Sequence, residues 1–207
     1  MLRLITAPTS EPVTLAEAKA YAKVDDTSED TLITNWIVAA RQMVEQATGR
    51  KLMSQVWALV MDQWPQQAKE IWWDGAREGA LSAFYGYSPF IVLPLAPVSA
   101  AVVKVLNEAG TSTDFTQTYL VQDEIEPRLV LNRGVAAPIA VRDVGGIEIH
   151  MTCGYASAAA VPQALKQAVM GLVSHWIENR EAAMSADLKP VPMHVARILQ
   201  NYRVVAL

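Results

Sequence analysis

The sequence predicts an α+β protein, with a helical bundle drawn from the N- and C-terminal parts of the chain and a β-rich insertion between them. Two observations carry that expectation. Apolar residues recur at the helical period over residues 14–48 and again over about 163–177. Between them the period drops to two, in short β-like runs broken by Gly, Pro and Asn. The implied division is 1–53 for the N-terminal helices, 54–154 for the β-rich insertion and 155–207 for the C-terminal helices and tail, one structural domain with an insertion. A chain of 207 residues with 52% hydrophobic and 18% charged residues can bury a sizeable core and is not disordered.

In "PVTLAEAKAYAKV", Thr14 and Glu17 stand at capping-box spacing, so each side chain can satisfy a backbone amide of the other and open a first helix. The acidic loop "DDTSED" follows, with Thr27 or Ser28 as the expected cap of a second helix that runs to about Thr48. Leu32, Ile33, Trp36, Ile37, Ala40, Val44 and Ala47 form its apolar stripe, and Gly49 is placed to end it. "QVWALVMDQWP" then reads as a strand stopped by Pro65. After an aromatic, Gly-rich stretch, "FIVLPL", "AAVVKVLNEAG", "TYLVQD", "RLVLN" and "GIEIHMTCGYA" read as short strands, with a turn at Asn107 to Gly110. In the last of these, Ile147, Ile149, Met151 and Cys153 alternate with Glu148, His150 and Thr152, the pattern of a half-buried strand. From Pro162 the helical period returns, with Leu165, Val169, Leu172, Val173, Trp176 and Ile177 on one face. "LKPVP" breaks it before a short amphipathic segment and the closing "NYRVVAL".

Composition excludes several classes of function. A net charge of −4 and a pI near 5.4 argue against a broad basic surface that grips nucleic acid, though an acidic wall suits DNA that only slides past. The lone Cys153 cannot form an intrachain disulfide and suits a reducing compartment, and "MLRLITAPTS" lacks the features of a secretory signal. No run approaches the roughly 18 apolar residues of a membrane span. Residues 154–207 hold five basic and three acidic side chains, so this segment alone is net positive.

Candidate chemistry is sparse. "HWIENREAA" gathers His175, Glu178, Arg180 and Glu181, but at about 100° per residue these groups spread around a helix instead of converging. The catalytic reading is a small soluble hydrolase using His175 and Glu178. The competing reading is a helix end that docks, with Arg180 extending the apolar face toward a carboxylate of another helix or subunit. His150 and Cys153, three apart in a strand, face opposite sides and cannot form a thiol–imidazole pair. No P-loop, dinucleotide, EF-hand, His-Glu-x-x-His or Gly-x-Ser-x-Gly pattern occurs, so no cofactor and no metal site is expected. Trp72, Trp73, Phe84, Tyr85 and Tyr87 crowd one non-periodic stretch. They read either as a cover over the β core or as a contact loop, where Trp72, Trp73, Tyr85 and Tyr87 would anchor a subunit or partner.

Taken in order, "PVTLAEAKAYAKVDD", "ATGRKLMSQVW", "LPLAPVSA", "MTCGYA", "VPQALKQAVMGLVSHWIENREA" and "YRVV" resemble the head–tail connector, or adaptor, proteins of long-tailed bacteriophages and gene transfer agents, over nearly the full chain. The resemblance implies a structural virion protein and no enzyme. Such proteins form a ring, usually twelvefold, that joins the portal of the DNA-filled head to a stopper or tail-terminator protein and lines the DNA channel. The expected partners are therefore further copies of itself, the portal, the stopper or tail terminator, and DNA passing without specific binding, with no membrane. The expected location is the neck of a virion or phage-like particle, assembled in the bacterial cytoplasm. The family's C-terminal segment engages the portal, which here implies Arg197, Tyr202, Arg203, Val204, Val205 and Leu207 as docking residues.

Overall fold

The computed structural model describes residues 1–65, 88–179 and 192–204. Contacts divide the chain into a β unit (Met1–Ile5, Val56–Leu93 and Val98–Thr152) and a helical unit (Thr6–Gln55, Pro94–Pro97 and Cys153–Leu207).

In the helical unit, α1 (Leu15–Ala22) opens with the expected capping box. The Glu17 N–H donates to Thr14 Oγ1 at 3.2 Å, and the Thr14 N–H donates to Glu17 Oε2 at 2.8 Å. The long helix α2 (Asp30–Thr48) ends at Gly49, whose φ of 72° is a left-handed conformation that costs glycine nothing. Its start differs from the expected one. Glu29 precedes the helix with no side-chain cap, because Asp26 takes both the N–H and the hydroxyl of Ser28 in a local turn. The core joins Ile33, Ile37, Ala40 and Val44 of α2 to Leu165, Ala168, Val169, Leu172 and Val173 of α3 (Gln163–Glu178), with Val195 of α4 (Met193–Tyr202) closing it. Each buried aliphatic side chain of this kind contributes about 1.5–3 kcal/mol.

Two members of the expected α2 stripe, Leu32 and Ala47, are exposed, while Arg41 and Glu45 are buried. A charged pair goes inside because it is fully satisfied there. Arg41 Nε donates to Glu11 Oε2 at 2.7 Å and Arg41 Nη1 to Glu45 Oε1 at 3.3 Å. The same Glu45 oxygen accepts the Leu52 N–H and Gln55 Nε2, both at 3.0 Å, and its second oxygen lies 3.4 Å from Lys51 Nζ. Burial works against the Arg41 charge, but the carboxylates of Glu11 and Glu45 outweigh it and hold the guanidinium pKa above its ordinary value.

The β unit holds two sheets. The larger runs in the order β1 (Leu2–Thr6), β2 (Gln55–Met61), β8 (Ile147–Cys153), β4 (Val98–Leu106), β5 (Ser112–Phe115). The smaller runs β3 (Phe90–Val92), β7 (Arg128–Leu131), β6 (Thr118–Val121). β4–β5, β3–β7 and β6–β7 pair antiparallel. The expected architecture, a helical bundle interrupted by one β-rich insertion, is thereby overturned. The described residues form four α-helices and two antiparallel sheets, and the first strand of the larger sheet comes from the extreme N-terminus. Met1 and Val60 exchange backbone bonds of 2.8 Å in each direction to hold it there. β1 escaped the sequence reading because all five of its residues are exposed, so it has no buried face to impose a period of two.

β8 keeps its expected alternation on the apolar side, with Ile147, Ile149, Met151 and Cys153 fully buried. Glu148, expected on the open side, is buried as well. Arg3 Nη2 holds both its oxygens at 2.9 and 3.0 Å, and His150 Nε2 lies 2.9 Å away. The single guanidinium nitrogen shared by both oxygens, with the His150 ring beside them, keeps the buried carboxylate paired.

Removing the Glu45 carboxylate leaves Arg41 short of one buried counter-charge and two donors, Leu52 N–H and Gln55 Nε2, without their acceptor. Glu45→Ala is expected to lower unfolding free energy by about 3 kcal/mol. The midpoint of urea denaturation checks this, and a loss below about 1 kcal/mol contradicts it.

Candidate docking surfaces

The C-terminal residues expected to dock a partner are first held by their own chain. α4 lies against α3 at Gly171, where an added Cβ would stand 3.0 Å from Val195 Cγ2 and 3.1 Å from His194 Nε2. The glycine thus eases this close crossing, since a side chain there would displace the ends of Val195 and His194 by a few tenths of an ångström. At the end of α4 the chain turns back onto the end of α2. The Val204 N–H donates to the Thr48 carbonyl at 2.8 Å, Arg50 Nε donates to the Tyr202 carbonyl at 2.9 Å, and the Arg50 guanidinium sits 5.9 Å from the centre of the Tyr202 ring. Arg50 is itself buried. This clasp fixes the last described residues against the end of α2.

The structure sorts the sequence-derived candidates accordingly. Arg197 and Arg203 are exposed, one on α4 and one just beyond it, whereas Tyr202 and Val204 are half-buried in the clasp. Val205 and Leu207 lie outside the described residues, as do Trp72, Trp73, Tyr85, Tyr87 and Arg180. Near the end of α3, His175 Nδ1 lies 3.2 Å from Asn179 Nδ2, and Glu178 accepts from Ser174 at 3.3 Å. The two residues of the hydrolase reading therefore have separate local partners, each one turn along the same helix. No group of three His, Cys, Asp or Glu residues able to hold a metal ion occurs among the described residues. No described helix is long and apolar enough to cross a membrane. Cys153 is fully buried, and burial pushes its thiol up to about 12, which keeps it neutral.

A second surface, in the β unit, was not foreseen. The register sets Phe90, Val130 and Tyr119 in one cross-strand row and Val92, Arg128 and Val121 in the next. Cross-strand partners share a face, so these six side chains form one patch on the smaller sheet. Phe90, Val92, Tyr119 and Val121 are all between 39% and 52% exposed. Arg128 lies 5.8 Å from the Phe90 ring centre, and Ile91 and Leu129 point into the core beneath. The signal for this patch is present in the sequence as continuous apolar runs, "FIV" and "RLVL", which supply apolar residues to both faces instead of one. Only the register shows that the outward ones adjoin.

Residues 12–72, spanning α1, α2 and β2, match the family described as phage gp6-like head-tail connector proteins. No curated protein sequence matches the chain. Among solved structures, the fold is similar to a chain in the neck of an empty gene transfer agent particle computed with C6 symmetry, with TM-score 0.77 and 24% identity. It is also similar to chains in the virion of a native gene transfer agent particle (TM-score 0.76, 25% identity) and in the neck of a native particle computed with C12 symmetry (0.73, 24%). Each match covers 100% of this chain and 97% of the other. The chain thus resembles head–tail connectors by sequence at its N-terminal end and neck proteins by fold along its whole length.

Two outcomes follow from this geometry. Arg50→Ala removes a charged donor from the Tyr202 carbonyl, so amide exchange at residues 202–204 is expected to quicken by at least tenfold while that of α2 is unchanged. Unaltered exchange at those residues contradicts the clasp. Cys153 is expected to resist maleimide at pH 8 in the folded protein and to react on denaturation, because a thiol with its pKa raised stays protonated well above that pH.

Proposed function

We propose that this chain is a structural protein of the neck of a phage or gene-transfer-agent particle. Copies form a ring that joins the portal of the DNA-filled head to the stopper or tail and lines the channel, with no catalytic role. The observation that carries this reading is the similarity of fold, over the entire chain, to proteins of gene transfer agent necks. The gp6-like connector match over residues 12–72 supports it from sequence. The twelvefold ring follows the neck computed with C12 symmetry.

The chemistry of the surfaces agrees with this assignment. An acidic chain of net charge −4 lets DNA pass, since every phosphate contact made by a basic side chain would retard it. The exposed Arg197 and Arg203 and the clasped Tyr202 and Val204 form the portal-facing element, with Val205 and Leu207 continuing it. Arg50 and Thr48 hold Tyr202 and Val204 of that element against the end of α2. The apolar patch around Tyr119 and Val121 is the contact toward the stopper or tail, and Trp72, Trp73, Tyr85 and Tyr87 belong to the same contact role. Arg180 serves a neighbouring subunit.

Reversing both exposed cations, Arg197→Glu with Arg203→Glu, is expected to leave the thermal midpoint within about 2 °C and to weaken capture by the cognate portal at least tenfold. Surface-plasmon measurements on immobilised portal check this. Full-strength binding by the folded double variant would remove the C-terminal segment from the portal interface.

A further inference from the structure

Beyond its first residue, Asp30, α2 keeps all its charges on the inner side. From Thr31 to Gly49 its only two charged residues, Arg41 and Glu45, are buried, at 5% and 4% exposure. The exposed positions are Thr31, Leu32, Thr34, Asn35, Ala39, Gln42, Met43, Gln46 and Ala47, and none of them is charged. A helix on a permanent protein surface places charged or polar residues opposite its apolar stripe, and here every polar residue on that side, Thr, Asn or Gln, is neutral. Depletion of charge with enrichment of Met is instead the composition of the centre of a protein–protein interface. The face extends over about four helical turns, some 20 Å at 1.5 Å per residue.

We infer that this outer face of α2 packs against the next copy of the same chain and forms the contact between subunits of the ring. The inference rests on the neck-ring reading and identifies the surface that builds the ring. Charge argues for a second copy as the occupant. Every copy carries a net charge of −4, so two copies repel one another wherever acidic surfaces meet. Contact is favoured through a face that brings no charge to the junction and leaves no buried carboxylate without a partner. The outward side of α2 meets that condition because its Arg41 and Glu45 are turned inward and paired with each other, with Glu11 and with Lys51. The ion pairs that hold the helical unit together are therefore also what leaves the outer face neutral. In a closed ring this contact is heterologous, α2 of one copy meeting a different surface of the next, which allows the rotation to close at a fixed number of copies.

The test places charge on the face without disturbing the helix. Glu has nearly the helix propensity of Gln and Met, so Gln42→Glu with Met43→Glu is expected to fold with an unchanged circular dichroism spectrum. The wild-type chain and the variant are compared by sedimentation velocity, alone and with the cognate portal. The expected result is a ring for the wild type and a monomer for the variant under the same conditions. A neutral control, Gln42→Asn with Met43→Leu, is expected to keep the ring. In parallel, a photo-cross-linking residue at Met43 is expected to give covalent dimers of this chain on irradiation, and at the exposed Thr113 it is not. A folded double-Glu variant that still forms rings overturns the inference and leaves the ring reading standing, and so does a Met43 cross-link to the portal alone. If the double-Glu variant fails to fold, the Met43 cross-link decides. A wild type that remains monomeric with and without portal overturns the ring reading and this inference with it.

Discussion

Glu45 sits at the point on which the helical unit depends. Its carboxylate receives Arg41 from one turn earlier on the same helix, Lys51 and the Leu52 amide from the chain that leaves the helix, and Gln55 from the residue that enters β2. A carboxylate out of water is tolerated only when its lone pairs are filled, and here that condition fixes the path of residues 49–55. Gly49 makes the same exit possible from the backbone side. The exit in turn positions Thr48 and Arg50, which accept and orient the returning C-terminal segment. One satisfied buried charge thus links the end of α2, the start of β2 and the place where the chain's last described residues emerge.

The β unit applies the same principle to a smaller problem. Arg3 reaches from the edge strand β1 to the buried Glu148 of β8, with β2 lying between them in the sheet. An edge strand whose five residues are all exposed has little hydrophobic reason to stay. The ion pair from Arg3 Nη2 to Glu148, together with the reciprocal backbone bonds between Met1 and Val60, supplies one.

Much of this was legible in the sequence wherever local chemistry decided the outcome. The Thr14–Glu17 capping box, the Gly49 terminus, the Asn107–Gly110 turn and the apolar alternation of β8 all depend on residues close in the chain, and they stand as read. What sequence could not supply was set by partners far away. Glu11 and Gln55 decide that Arg41 and Glu45 turn inward. Arg3, 145 positions from Glu148, decides that an alternating strand buries a carboxylate. The N-terminal strand and the outward patch of the smaller sheet needed register before they could be seen, and the fold class was misread for that reason. The docking residues near the C-terminus came from family resemblance alone, and nothing in their local pattern revealed that Tyr202 and Val204 are clasped by Arg50 and Thr48.

The proposed portal-facing and tail-facing roles both presuppose a ring, so the ring is the claim to test first. The most direct measurement is native mass spectrometry of the purified chain, alone and mixed with its cognate portal. The account predicts a closed assembly of about twelve copies, either free or formed on the portal. A monomer or dimer that ignores the portal would contradict it and return His175 and Glu178 to consideration as chemistry.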